Sequence, residues 1–213
     1  SIAIAFYNKG QFEDAMVYFD RALERRGMTS PKNNFAMVFR WFRDFTNLIL
    51  RLYFPIKRQG ISPTEEDNET FSTIEKWLCS IGFINPKRCF FESFNALKRL
   101  NKFNIEEVRN AVSLYGFVSN ILTISSFSLN LPQKLVEHIA GLIDVNSTRD
   151  VILFKLQQTA FLYFSGNWDQ IEAYDEALVN RSFQIVEPLA ASFYTYWYGL
   201  IKLEQGDFKS VEQ

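Results

Sequence analysis

The chain has 213 residues, enough for one sizeable core or for several stacked units. Hydrophobic residues make up 47% and charged residues 22%, a globular balance that excludes a disordered segment. The 23 basic residues against 24 acidic ones give a net charge of −1, so no long-range field steers the whole chain onto nucleic acid or anionic lipid.

Taken in order, the first apolar stripe is Phe12, Ala15, Met16, Phe19, Ala22 and Leu23, at steps of three and four. It predicts an amphipathic helix with Glu13 and Asp14 early and Arg25 and Arg26 late, as the helix dipole favours, and with Gly27 as its stop. The stretch 34–54 is dense in aromatics: Phe35, Phe39, Trp41, Phe42, Phe45, Tyr53 and Phe54. Arg40, Arg43, Asp44 and Arg51 argue against a membrane span there, because each charge at bilayer depth costs about 3 kcal/mol on insertion scales. The expectation is a long helix buried between hairpins and ended by Pro55, with an interfacial amphipathic helix as the alternative. A loop is expected next over 56–67, with Gly60, Pro63 and the acidic run Glu65, Glu66 and Asp67; any division of the chain belongs there. Helical spacing resumes at about 70–83, 87–102, 105–125, 132–144, 150–164, 169–181 and 187–204. No alternation of period two joined by tight turns is present, so the expected class is all-α.

Gly10, Gly166 and Gly206 share one context, an aromatic-rich helical stretch, then glycine, a polar residue and an aromatic; the last two stand 40 residues apart. Weaker echoes of that turn fall at Asn85-Pro86 and between Ser128 and Pro132. At Ala3, Phe6, Gly10, Phe12, Ala15, Phe19, Ala22 and Leu23 the chain resembles a tetratricopeptide motif. Small residues let paired helices approach, aromatics fill the space between them, and Gly10 reverses the chain. Around Gly166, Trp168 fits, while Thr159, Ile171 and Asp175 depart. Around Gly206, Gly199 and Phe208 fit and Lys202 departs. The wider order is a motif ending in ALERRG, a long Arg-containing aromatic helix ending in proline, an acidic loop and irregular hairpins of about 40 residues. That order is similar to the helical region following the nucleotide-binding module of large signal-transduction ATPases, which often carry cyclase or kinase modules. The resemblance implies a right-handed solenoid of degenerate tetratricopeptide-like α–α hairpins, a single domain over 1–213 divided as 1–55, 56–69 and 70–213. It also implies a fragment of a longer chain that serves as a non-catalytic regulatory or interaction segment.

The residue inventory leads to the same expectation. The only histidine, His138, sits on a helical pattern, and no phosphate loop, dinucleotide fingerprint or nucleophile elbow occurs. Cys79 and Cys89 have no metal-ligand spacing and are too few for a disulfide framework, and the start shows no secretory signal; the expected compartment is the cytoplasm. Glu65-Glu66-Asp67 and Glu106-Glu107 read as solvated or helix-start acids. No catalytic residue, cofactor or metal is expected, nor nucleic acid or a membrane span. The expected partner is a protein or peptide, or another domain of the same chain, facing Tyr7, Asn8, Tyr163, Tyr196 and Leu203. Two other readings remain. A free-standing scaffold, effector or adaptor binding a peptide would need an exposed groove, and an enzyme of unfamiliar type would need polar groups converging on His138 or Glu106.

Overall fold

The computed structural model describes residues 2–29, 33–54, 60–125, 129–185 and 187–208, and the regular elements among them are all helical. The expected helix stop at Pro55 and the turn residue Ser128 lie outside the described residues. The chain divides into two compact units, Ser1–Leu114 and Tyr115–Gln213. The division falls at 114/115, not in the expected loop over 56–69.

In the first unit, α1 (Ile2–Asn8) and α2 (Phe12–Arg25) form the first hairpin, turned by Gly10 at φ 71°. That left-handed conformation suits glycine, so the turn is built into the sequence. Then come α3 (Asn34–Tyr53), α4 (Glu65–Ile84) and α5 (Pro86–Leu100). Helix α2 packs on α4, α4 on α5, and α5 on α3. Thus α4 and α5 make the second hairpin of the stack, and α3 lies against α5 as an insertion between the two. Phe19, Leu23, Ile74, Leu78, Ile81, Phe94 and Leu97 fill the centre with almost no exposure.

The acidic run expected in a loop starts α4 instead. Thr64 accepts a bond from the Asp67 backbone N–H while the Asp67 carboxylate takes the Thr64 backbone N–H, a reciprocal cap that satisfies two otherwise orphaned donors. The Thr64 hydroxyl and backbone bonds hold the Asp67 carboxyl below its ordinary range. Asn85 closes α4 and caps α5, accepting from the Arg88 backbone N–H with Pro86 in the first turn. This turn reverses the chain without a left-handed residue, which is why it lacks the glycine of the others.

Burial of α3 between hairpins is not what forms. Trp41, Asp44, Phe45 and Leu48 face inward, but Phe35, Phe39 and Phe42 are 78%, 67% and 62% exposed, and Val38, Leu50 and Tyr53 are exposed beside them. A helix buries only the face that a neighbour covers, and α5 covers one. The near-zero net charge also conceals a segregation. Helices α3 and α5, with Lys102 just beyond, carry Arg40, Arg43, Arg51, Lys87, Arg88, Lys98, Arg99 and Lys102 against only Asp44 and Glu92. Helix α4 carries Glu65, Glu66, Asp67, Glu69 and Glu75 against Lys76.

Beyond α5 the expected helix over 105–125 is broken. A 3-10 turn at Ile105–Glu107 and an irregular step precede α6 (Ala111–Ile124), whose first turn belongs to the first unit. Arg109 anchors the step, with both guanidinium nitrogens on Glu65 and its backbone N–H on Asn68. Ile61 pairs with Lys102 and Asn104 through backbone bonds of 3.1 and 2.9 Å. Gly60 comes so close there that an added Cβ would lie 2.2 Å from the Phe103 carbonyl carbon.

The second unit contains the rest of α6 with α7 (Asn130–Ala140), α8 (Thr148–Ser165), α9 (Glu176–Gln184) and α10 (Pro188–Glu204). Helix α8 is its centre, packed by α7, α9 and α10. Pro132, expected at a turn, sits in the first turn of α7, where its missing N–H has no intrahelical partner to lose. The helix expected over 169–181 starts late. After a 3-10 turn at Trp168–Gln170 the backbone stays extended or irregular until Asp175 caps α9 through the Leu178 backbone N–H.

These geometries predict opposite outcomes for two glycines. Gly60→Ala is expected to cost about 2 kcal/mol, because the new methyl group overlaps backbone. Gly199→Ala, within α10 with nothing inside 4 Å of the new carbon, is expected to be neutral or to gain roughly 0.5–1 kcal/mol of helix stability. Urea unfolding midpoints of the two variants decide both.

Candidate functional site

Ala3, Ala15 and Phe19 are buried, Ala22 is half-buried, and Phe6 stacks on Tyr18 at 5.5 Å. Phe12 reaches beyond its hairpin to stack on Phe83 of α4 at 4.6 Å. The strongest polar link between hairpins is centred on Asp20. Its carboxylate takes both guanidinium nitrogens of Arg88 at 2.6 and 2.9 Å and the Trp77 indole N–H at 2.8 Å, so α2, α4 and α5 meet at one anion.

In the second unit, Gly166 and Gly206 adopt φ 72° and 74° after α8 and α10, the same left-handed turn as Gly10. Trp168 donates its indole N–H to the Tyr163 carbonyl at 3.1 Å. Two motif positions depart from their expected role. Gly199 meets no neighbour that requires a small residue, and Phe208 is 64% exposed.

Of the five residues expected to face a partner, two are engaged internally. Tyr7 packs edge-on against Phe12 and Phe19, and Tyr163 packs against Phe164 and Trp197. Asn8, Tyr196 and Leu203 are exposed. On α10, Tyr196 and Leu203 continue a stripe begun by Leu189 and Phe193, all four exposed at helical spacing.

The feature that sequence reasoning missed is the seam between α3 and α5. A cavity of about 190 Å³ opens there, lined by Asp44, Asn47, Leu48, Arg51, Leu97, Lys98, Asn101 and Lys102. The Asp44 side chain is 1% exposed, and its Oδ1 receives Arg43 Nε at 3.0 Å and Lys98 Nζ at 3.3 Å. Arg40 pairs with buried Glu92 at 2.5 Å. Yet Asp44 Oδ2, Glu92 Oε1 and Trp41 Nε1 have no hydrogen-bond partner. Ring packing of Trp41 against Phe90, Phe91 and Phe94 holds the seam beside these ion pairs.

The two residues named for the enzyme reading belong to different units. His138 lies against the Tyr115 ring at 4.8 Å, and burial pushes its pKa below the ordinary 6.5. Glu106 sits in the 3-10 turn of the first unit. Burial, with Cys79 nearby, raises the Cys89 thiol to about 12, which makes it inert. Among the described residues no group of three or more His, Cys, Asp or Glu side chains is placed to hold a metal ion. No protein-family model, curated protein or solved structure matches the chain.

Asp20→Asn removes the charge beneath Arg88 and is expected to lower stability by about 2 kcal/mol in denaturant titration. The depressed His138 pKa means the unfolded chain binds the proton first, so its contribution is complete above about pH 6.5 and declines as pH falls below that. Melting temperatures recorded from pH 7.5 to 5 for the native chain and His138→Gln should diverge in shape only at the acid end.

Proposed function

We propose that this chain is a non-catalytic regulatory and interaction segment, an array of tetratricopeptide-like hairpins within a multidomain signalling ATPase or cyclase. The observation that carries the reading is the uncovered apolar stripe of α10, Leu189, Phe193, Tyr196 and Leu203. In stacked helical pairs each unit leaves one apolar face for its neighbour, whereas a terminal unit is capped by polar residues. An oily α10, followed by a left-handed turn at Gly206, fits an interior repeat whose next hairpin covers it. The turns at Gly10, Gly166 and Gly206 add support, since one backbone geometry recurs where the motif places it.

A free-standing scaffold that grips a peptide on the same stripe is the competing reading. The size and sequence of the natural polypeptide separate the two. Immunoblotting should reveal a product far longer than 213 residues, and its coding sequence should place a G-x-x-x-x-G-K-[ST] loop before this segment. In that longer chain, Tyr196→Asp combined with Leu203→Asp should lower the melting temperature of the array, while leaving the 213-residue chain almost unchanged. A mature protein of about this length, or a long one without a nucleotide-binding loop, would defeat the proposal.

A further inference from the structure

The cavity along the α3–α5 seam is the feature that the regulatory reading leaves unused. It lies wholly within the first unit, among Asp44, Leu48 and Arg51 of α3 and Leu97, Lys98 and Lys102 at the end of α5. The three α3 residues stand at steps of four and three, so one helix face supplies them all. Leu48 and Leu97 are almost unexposed and give the cavity two apolar walls. At about 190 Å³ the space equals roughly six water molecules at about 30 Å³ each, too little for a nucleotide and enough for a small anion with a short carbon skeleton. Its lining carries three cations, Arg51, Lys98 and Lys102, against the one carboxylate of Asp44. The C-terminal ends of α3 and α5 meet here, and cations at helix ends ordinarily complement the dipole. Two such ends amount to about one negative charge, so together with Asp44 they leave roughly one positive charge over. Arg51 and Lys102 are exposed and have no ion-pair partner among the described residues. Asp44, whose side chain is 1% exposed, holds Arg43 and Lys98 on Oδ1, while Oδ2 has no hydrogen-bond partner. A buried carboxylate oxygen calls for a donor. In a lining that is already positive, a hydroxyl supplies that donor without adding charge.

We propose that the α3–α5 cavity is a binding site for a small hydroxyl-bearing oxyanion, of which hydrogen phosphate is the simplest member. Arg51 and Lys102 take the oxyanion, and a guanidinium grips two of its oxygens at once. The ligand's hydroxyl donates to the Asp44 carboxylate. The walls of Leu48 and Leu97 keep the inner end of the cavity apolar, which strengthens both contacts. Asp44 supplies the selectivity. A ligand with acceptor oxygens alone sets a lone pair against the carboxylate, which repels it. Hydrogen phosphate and sulfate, nearly equal in size and in charge at mildly alkaline pH, differ by that one proton. A ligand seated between α3 and α5 also stabilises the folded first unit in proportion to its concentration.

Isothermal titration of the 213-residue chain with sodium phosphate and with sodium sulfate tests this, at mildly alkaline pH and at an ionic strength held constant with sodium chloride. The expected result is one site with a dissociation constant of about 1 mM or below for phosphate, and binding of sulfate at least about tenfold weaker. Arg51→Gln and Lys102→Gln, both at exposed positions, should each weaken phosphate about tenfold. Circular dichroism spectra show that each variant keeps its helices. Arg181→Gln, which removes an exposed cation of the second unit, should leave phosphate binding unchanged. Four results overturn the proposal: no phosphate binding, equal binding of phosphate and sulfate, binding that survives both Arg51→Gln and Lys102→Gln, or binding that Arg181→Gln weakens as much as they do.

Discussion

A helix can hide only as much apolar surface as its neighbours cover, and this constraint acts most severely on α3. Its apolar side chains occupy two faces, one turned to α5 through Trp41, Phe45 and Leu48, the other turned outward through Phe35, Phe39 and Phe42. The stack around it is already complete without it. Helices α1 and α2 pair, α2 lies on α4, and α4 pairs with α5. An insertion added to a finished stack gains one contact face and leaves the other to the solvent or to a partner.

That arrangement also explains where the polar groups are well satisfied and where they are not. Between hairpins, Asp20 is saturated by Trp77 and Arg88, and the Arg109–Glu65 pair fastens the segment after α5 onto α4. Along the α3 seam, by contrast, one oxygen each of Asp44 and Glu92 and the Trp41 nitrogen lack partners. Buried polar atoms of this kind offset part of the gain from ring packing.

The two units share a local grammar and differ in their execution. Gly10, Gly166 and Gly206 all take the left-handed conformation, so the turn after an aromatic helix repeats faithfully. The next helix does not repeat. After Gly10 it starts at Phe12, whereas after Gly166 the backbone delays until Asp175 caps α9. Tyr174, in the delayed stretch, stacks on Tyr194 and bonds the Thr195 hydroxyl. Those contacts with α10 compensate the helical bonds that 171–175 forgo. Ile171 and Asp175, the residues that depart from the motif, lie in this stretch.

The helical class, the first hairpin and the positions of the three glycine turns were legible in the residues alone, because step-three and step-four spacing and left-handed glycines are local properties. So was the fact that α3 is too charged to span a bilayer. The start of α4 was misplaced, since the cap between Thr64 and Asp67 reads as loop acidity. The starts of α6 and α9 were misplaced too, because local spacing does not reveal the caps and cross-helix contacts that delay them. Packing alone settled which apolar faces stay uncovered, that Tyr7 and Tyr163 turn inward while Tyr196 does not, and that basic residues collect on α3 and α5. Hydrophobic periodicity marks a face as oily without naming its neighbour, and a total charge carries no information on which helices share a layer.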